Sequence, residues 1–432
     1  MKQFLSKIWN SPSARNVGKL LSANVFAQAL GLLIYPILTR LYSPEDFGLL
    51  SLFTSIGGVL IILSTLEWYN AIVLPKREEE ARAIVQLSLL SLVVLTILLC
   101  LTIPFARPIA ALFKSPNLAK YYWLLPLYVC LMGSWNVLNY WYIRRKAYGR
   151  ISGYQISQSV FSAGYKVGFG WFGVLNAGLL YSSILSPLCS LIISISLSAK
   201  KHLCSLLKWD GEECKKAVSL YANFPKYSAP RALLNNLSGN LPILVLSPAF
   251  GLTEIGFIGM ALTLALMPIQ IIVRSIYQVL YQYMAQRVNN KQKIHALLLK
   301  YIYTVALIII PSFIVLYIFL PWLTAILLGK AWYITGEYIR ILLPWIAMIV
   351  LTSSTNFIPD IFGKQRTLLW VEIVYLLLRV AALLVGIYSA SIIVALQLFS
   401  LVGFIVLFGQ LIWFIALAYK HDSFIINASN SQ

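Results

Sequence analysis

Apolar runs of about twenty residues follow one another along the whole chain, most of them separated by short breaks. A helix rises 1.5 Å per residue, so about 20 residues cross a hydrocarbon core ~30 Å thick. The runs fall at residues 17–39, 47–73, 84–104, 121–143, 153–172 and 175–197, then 227–249, 255–284, 299–320, 339–359, 368–388 and 392–418. The weak alternation of barrel strands is missing, so helices are the spanning element. The pattern predicts an all-α membrane protein of about twelve transmembrane helices. The first run has no small-residue cleavage site and reads as a retained span. The longest polar stretch, 198–226, has room for one short amphipathic helix and no core.

The twelve runs divide into two sets of six. After span 1 the chain reads Pro44-Glu45-Asp46-Phe47-Gly48, and after span 7 it reads Leu252-Thr253-Glu254-Ile255-Gly256, an offset of 208 residues. The same offset brings Gln28 opposite Asn236, two amides in mid-span. Acid-apolar-Gly before a helix is also ordinary capping chemistry, so the match gains weight from its register with the 6+6 span count. The expected organisation is an N-terminal lobe over 1–198 (spans 1–6, with an interfacial helix at its start), a cytoplasmic connecting segment over 199–226, and a C-terminal lobe over 227–432. Six spans per repeat imply parallel repeats with a site between them, which is a transporter's plan.

Composition agrees and adds a sign. Of 432 residues, 59% are hydrophobic and 11% charged, while the formal charge is +20. With the amino terminus inside, about 23 of the 34 Lys and Arg fall in cytoplasmic segments, including Arg144, Arg145, Lys146 and Arg150. That asymmetry reads as topology and contact with the anionic phospholipid surface, not as nucleic-acid binding. Both termini are then cytoplasmic. Five scattered cysteines and three histidines offer no metal-ligand spacing and no disulfide frame, and no cofactor is expected.

The informative residues are polar groups deep in the spans. An ionisable group at mid-membrane costs on the order of 2.5–3.5 kcal/mol, so it should face a wet cavity or a partner. Lys19, Lys166, Arg231, Arg274 and Arg379 qualify, with the acids Glu67, Glu372 and Asp360. Helical spacing orients them. Asn24, Gln28, Gly31 and Tyr35 share a face of span 1, and Gln155, Ser159, Ser162 and Lys166 share one of span 5. Arg231, Asn235 and Ser238 do so in span 7, and Gln270, Arg274 and Gln278 in span 8. Such stripes line a cavity or hydrogen-bond neighbouring helices. Snorkelling competes with function for Lys19 and Arg231. For Glu67, an ion pair with Arg274 competes with a coupling role. A cationic, amide-rich interior suits a phosphate joined to a hydroxyl-rich sugar and opposes a cationic drug. An alternative of another class, a membrane glycan polymerase or ligase, needs a large outer loop with paired acids. The outer loops near 106–120 and 321–338 are short.

Several stretches carry a resemblance. Asn24-Val25-Phe26-Ala27-Gln28, then Pro36-Ile37-Leu38-Thr39-Arg40-Leu41-Tyr42-Ser43-Pro44-Glu45-Asp46-Phe47-Gly48, resembles the opening of bacterial polysaccharide flippases of the Wzx type. The stretch from Tyr227 to Gly251, with Arg231-Ala232-Leu233-Leu234-Asn235-Asn236, is similar to their seventh span. The resemblance implies the multidrug/oligosaccharidyl-lipid/polysaccharide (MOP) exporter fold, two six-helix lobes around a central cavity as in MATE transporters. It implies that the substrate is an undecaprenyl-pyrophosphate-linked oligosaccharide, such as an O-antigen unit for lipopolysaccharide biosynthesis, moved to the periplasmic leaflet of the inner membrane. The polysaccharide polymerase and chain-length machinery are then the expected protein partners. Lipid II flippases of this fold carry arginine in the first helix, where this chain has Asn24 and Gln28. Drug-exporting relatives, the other alternative, couple to cations through acids in span 1 or 7, and this chain has none there.

Overall fold

The computed structural model describes residues 12–197 and 210–430; side chains of 12–21, 175, 176, 426–430 and nine positions within 270–289 lie outside the description. The helices are α1 Pro12–Leu41, α2 Pro44–Thr65, α3 Glu78–Leu101, α4 Leu124–Arg144, α5 Tyr148–Trp171 and α6 Leu175–Ser196. The long stretch Ala229–Asn289 is two helices, α7 (229–250) and α8 (252–289), broken at Gly251. There follow α9 His295–Leu328, α10 Tyr333–Ser353, α11 Gln365–Tyr388 and α12 Ile392–Asn430. Nine stretches of the described residues are long and apolar enough to cross a membrane, one of them (224–269) running through α7 into α8. The two remaining helices, α4 and α5, are long enough but richer in tyrosine, amides and small polar residues.

The breaks have backbone causes. Ser43 caps α2: its Oγ accepts from the Asp46 amide, while Asp46 Oδ2 accepts from the Ser43 amide at 2.9 Å and from its hydroxyl at 2.8 Å. With Pro44 in the first turn this is a complete capping box, and it fixes the role of the buried Asp46. The other end of α2 departs from the expected span. The apolar run continues to Val73, but Leu66 and Glu67 adopt left-handed φ values of 47° and 58°. Two such non-glycine residues turn the chain out of the helix at Thr65, and Trp68–Val73 forms a separate 3-10 turn. At the α7–α8 junction Gly251 has φ 82° and ψ 173°, which only glycine tolerates readily.

By internal contacts the chain divides into units Met1–Gly256 and Phe257–Gln432. In the first, α1 packs along α5 and α5 along α6, while α3 and α4 pack together with α2. The start of α8 meets the start of α2 within this unit. A Cβ on Gly48 would stand 1.8 Å from the Leu252 carbonyl oxygen, and one on Gly256 would stand 1.8 Å from that of Pro44. Adding the 208-residue offset to 44 and 48 gives 252 and 256, so the contact maps onto itself.

The cytoplasmic-type charge clusters do structural work in this unit. Arg144 donates to the carbonyls of Ile72 (3.2 Å), Pro75 (2.6 Å) and Arg77 (3.2 Å), pinning the turn between α2 and α3. Glu78 receives Arg82 at 2.6 Å and Arg145 at 2.7 Å. The connecting segment forms a helix, Gly211–Leu220, capped by Asp210 and seated on α3. There Gln86 Oε1 accepts from the Asp210 amide and from Cys214, both at 3.4 Å.

In the second unit α10 packs against α9 and α12, and α11 against α12. The first turn of α9 is capped from a distant helix: Asp422 of α12 accepts from the amides of Ile294 (2.9 Å) and His295 (3.0 Å). The middle of α9 exposes Leu307, Ile308, Ile314 and Ile318, as lipid-facing positions should be.

Candidate functional site: polar faces of the spans

The polar stripe of α1 is partly covered by the rest of the protein. Asn24, Gln28, Gly31 and Tyr35 are half-buried, while Val25, Phe26, Leu33 and Ile37 on the other faces are exposed. On α5, Gln155, Ser159, Ser162 and Lys166 are likewise half-buried. The two helices share a register. Tyr42, just past α1, donates to the Lys166 carbonyl at 2.7 Å, and Gly170 of α5 packs on Leu41 and Tyr42. Parallel helices rise equally per residue, so Gln28 lies level with residues 152–157, and Gln155 falls among them.

These two amides are alike in another respect. Gln28 Oε1 and Gln155 Oε1 are buried atoms with no hydrogen-bond partner among the described residues. Beside Gln155, Tyr154 stacks on Trp135 of α4 at 3.3 Å and 8°, and its hydroxyl also lacks a partner, as does Asn139 Oδ1 one turn along α4. The sequence reading passed over Asn139 and Tyr154. Asn139 shares α4 with Asn136, and tyrosines are frequent in this chain, so neither residue stands out by type. Lys166 ends the α5 stripe, and among the described residues no carboxylate pairs with it.

α7 shows two polar faces with different fates. Asn236 and Asn240 are engaged: Ser55 of α2 donates to Asn240 Oδ1 at 3.0 Å, Asn240 Nδ2 donates to the Asn236 carbonyl at 3.0 Å, and Gly58 faces the Asn236 amide. These are interhelical ties. Arg231 and Asn235, one turn apart on another face, are exposed. The side chains of Gln270, Arg274 and Gln278 on α8, and of Lys19 on α1, lie outside the described residues.

Arg379 on α11 sits in a box of rings at 2% exposure. Its guanidinium carbon is 3.7 Å from the Phe399 ring centre, 4.6 Å from that of Trp345 and 4.8 Å from that of Tyr375. Trp345 also donates to the Tyr375 hydroxyl at 3.0 Å.

Of the acids, Glu67 is buried just beyond α2. It accepts from Tyr69 at 2.7 Å and from Asn70. Burial pushes its carboxyl above the usual range, and the two hydrogen bonds oppose that rise. Glu372 and Asp360 are half-buried and already interact within the protein. Among the described residues no group of three His, Cys, Asp or Glu could hold a metal.

Residues 37–335 match the family described as polysaccharide biosynthesis protein. The chain belongs to this family. A relative in sequence is the succinoglycan biosynthesis transport protein ExoT of Rhizobium meliloti (strain 1021), 21% identical over 91% of this chain and 78% of that one. Among solved structures, an inward-facing multidrug resistance MATE family transporter of the MOP superfamily superposes with a TM-score of 0.72 at 17% identity, covering 91% of this chain and 96% of that one. The lipid II flippase MurJ, inward closed, does so with 0.64 at 14% identity, covering 96% and 93%. The polysaccharide biosynthesis family member described here therefore has the all-α MOP fold and is a multi-pass membrane protein.

Proposed function

We propose that the protein flips undecaprenyl-pyrophosphate-linked oligosaccharide repeat units of a surface polysaccharide, such as O-antigen, from the cytoplasmic to the periplasmic leaflet of the inner membrane by alternating access. The reading rests on one conjunction: a polysaccharide biosynthesis family member with a transporter fold presents an exposed arginine and unengaged amides on its spans. A guanidinium stays charged and donates in a planar fork, which suits a pyrophosphate. Arg231 would neutralise the diphosphate while Asn235 and the amides of α1 and α5 meet the glycan. The prenyl tail stays in lipid, where it costs nothing to leave it. No bond is made or broken in this reading, so the protein is a carrier and not an enzyme.

The test is deletion followed by leaflet-resolved detection of the lipid-linked repeat unit. Accumulation on the cytoplasmic side is the expected result. Normal flipping with unpolymerised units outside would point to a polymerase or ligase, and dye export without a glycan defect to a drug exporter.

A further inference from the structure

Within the first unit, the two level amides of α1 and α5 have a chemistry of their own. Gln28 and Gln155 each bury a carboxamide oxygen that nothing in the described protein satisfies, at one depth, on helices that pack together. An unpartnered buried oxygen costs about 1–3 kcal/mol, so two of them at one depth on packed helices call for a ligand group that donates. Neither α1 nor α5 contains an Asp or Glu, and both Arg150 and Lys166 lie on α5. A metal cation is therefore opposed by the local charge. A phosphate, which only accepts, gains nothing from a carbonyl oxygen. A sugar hydroxyl both donates and accepts, as a carboxamide does. Next to Gln155 in the chain, Tyr154 stacks on Trp135 of α4, a contact that ties α5 to α4.

We propose that Gln28 and Gln155 form a subsite for sugar-ring hydroxyls, separate from the arginine that takes the pyrophosphate. This rests on the flippase reading and adds to it a division of labour: the amides read the glycan and not the lipid diphosphate.

The test uses the full-length protein in lipid nanodiscs and two probes, the glycosylated undecaprenyl pyrophosphate extracted from the deletion strain and bare undecaprenyl pyrophosphate, titrated by native mass spectrometry. The wild type should bind the glycosylated lipid about tenfold more tightly. The double variant Gln28→Met, Gln155→Met keeps the side-chain length and removes the amides. It should bring the ratio close to one while leaving affinity for the bare lipid unchanged. A ratio that survives the double change, or an equal loss for both lipids, overturns the subsite. If the double variant does not accumulate, the single variants should each lower the ratio about threefold, and no change in either overturns it as well. Wild-type protein that binds both lipids equally refutes the subsite alone, whereas protein that binds neither refutes the flippase reading itself.

Discussion

Arg231 and Arg379 are the same side chain, both in spans, and sequence gives both the same task. The structure puts them in opposite settings. Arg231 stands exposed on α7 one turn from Asn235, whereas Arg379 is enclosed by rings from α10, α11 and α12. The ring faces carry partial negative charge and lower the cost of the buried cation. A charge in a membrane helix is thus not by itself a mark of substrate contact. Surroundings decide whether it holds helices together or meets a ligand.

The contrast can be broken at several points, beginning with the largest expected effect. Arg379→Ala removes a filled volume and three cation–π contacts together, and should cost roughly 2–4 kcal/mol of stability. The protein level and the thermal midpoint in detergent should both fall. A variant that accumulates and melts normally but no longer exports would show that Arg379 serves transport. Arg231→Ala should do the reverse, with a smaller loss of stability than Arg379→Ala and a fall in leaflet transfer of tenfold or more. Arg231→Lys keeps the charge but loses the fork, and should recover only part of the rate. Arg231→Ala protein that exports normally would remove this residue from the proposed diphosphate site.

The engaged amides give a finer version of the same contrast. Asn240→Leu breaks the tie to Ser55, and interhelical hydrogen bonds of this kind average only about 0.6 kcal/mol. A small drop in melting temperature without a change in glycan selectivity is expected. A changed preference between glycosylated and bare lipid would place Asn240 in the substrate path. The smallest effect concerns Glu67. Its folded-state carboxyl titrates above the ordinary 4.5 because burial outweighs the hydrogen bonds from Tyr69 and Asn70. The folded state therefore holds this proton to higher pH than the unfolded chain does. Its contribution to stability is complete below the ordinary value and is lost as pH rises through the folded one. Glu67→Gln should flatten the stability profile over that window, by a degree or two in melting temperature. An unchanged slope would mean that another group sets it.

Helix positions were largely legible in the sequence, because the boundary between oil and water is written in residue type. All twelve expected spans correspond to helices, including α7 and α8 on either side of Gly251. What hydropathy could not show was set by dihedral angles. Leu66 and Glu67 are an ordinary apolar and an ordinary acidic residue, yet their left-handed backbone ends α2 eight residues before the apolar run does. The candidate site divided in the same way. Periodicity marks the polar stripes of α1 and α5. It does not tell that Asn240 has Ser55 to accept from while Gln155 Oε1 has no partner among the described residues, since that depends on a helix far away in sequence. Nor could it gather Trp345, Tyr375 and Phe399 around Arg379, for they come from three different helices.

The reciprocal approach of Gly48 to Leu252 and of Gly256 to Pro44 bears on what these two positions can tolerate. A contact that maps onto itself under the 208-residue offset has the form of an isologous dimer interface, in which each copy presents the same patch to the other. Neither glycine can gain a side chain without meeting a backbone carbonyl of the facing helix, so the seam closes only if both positions stay bare.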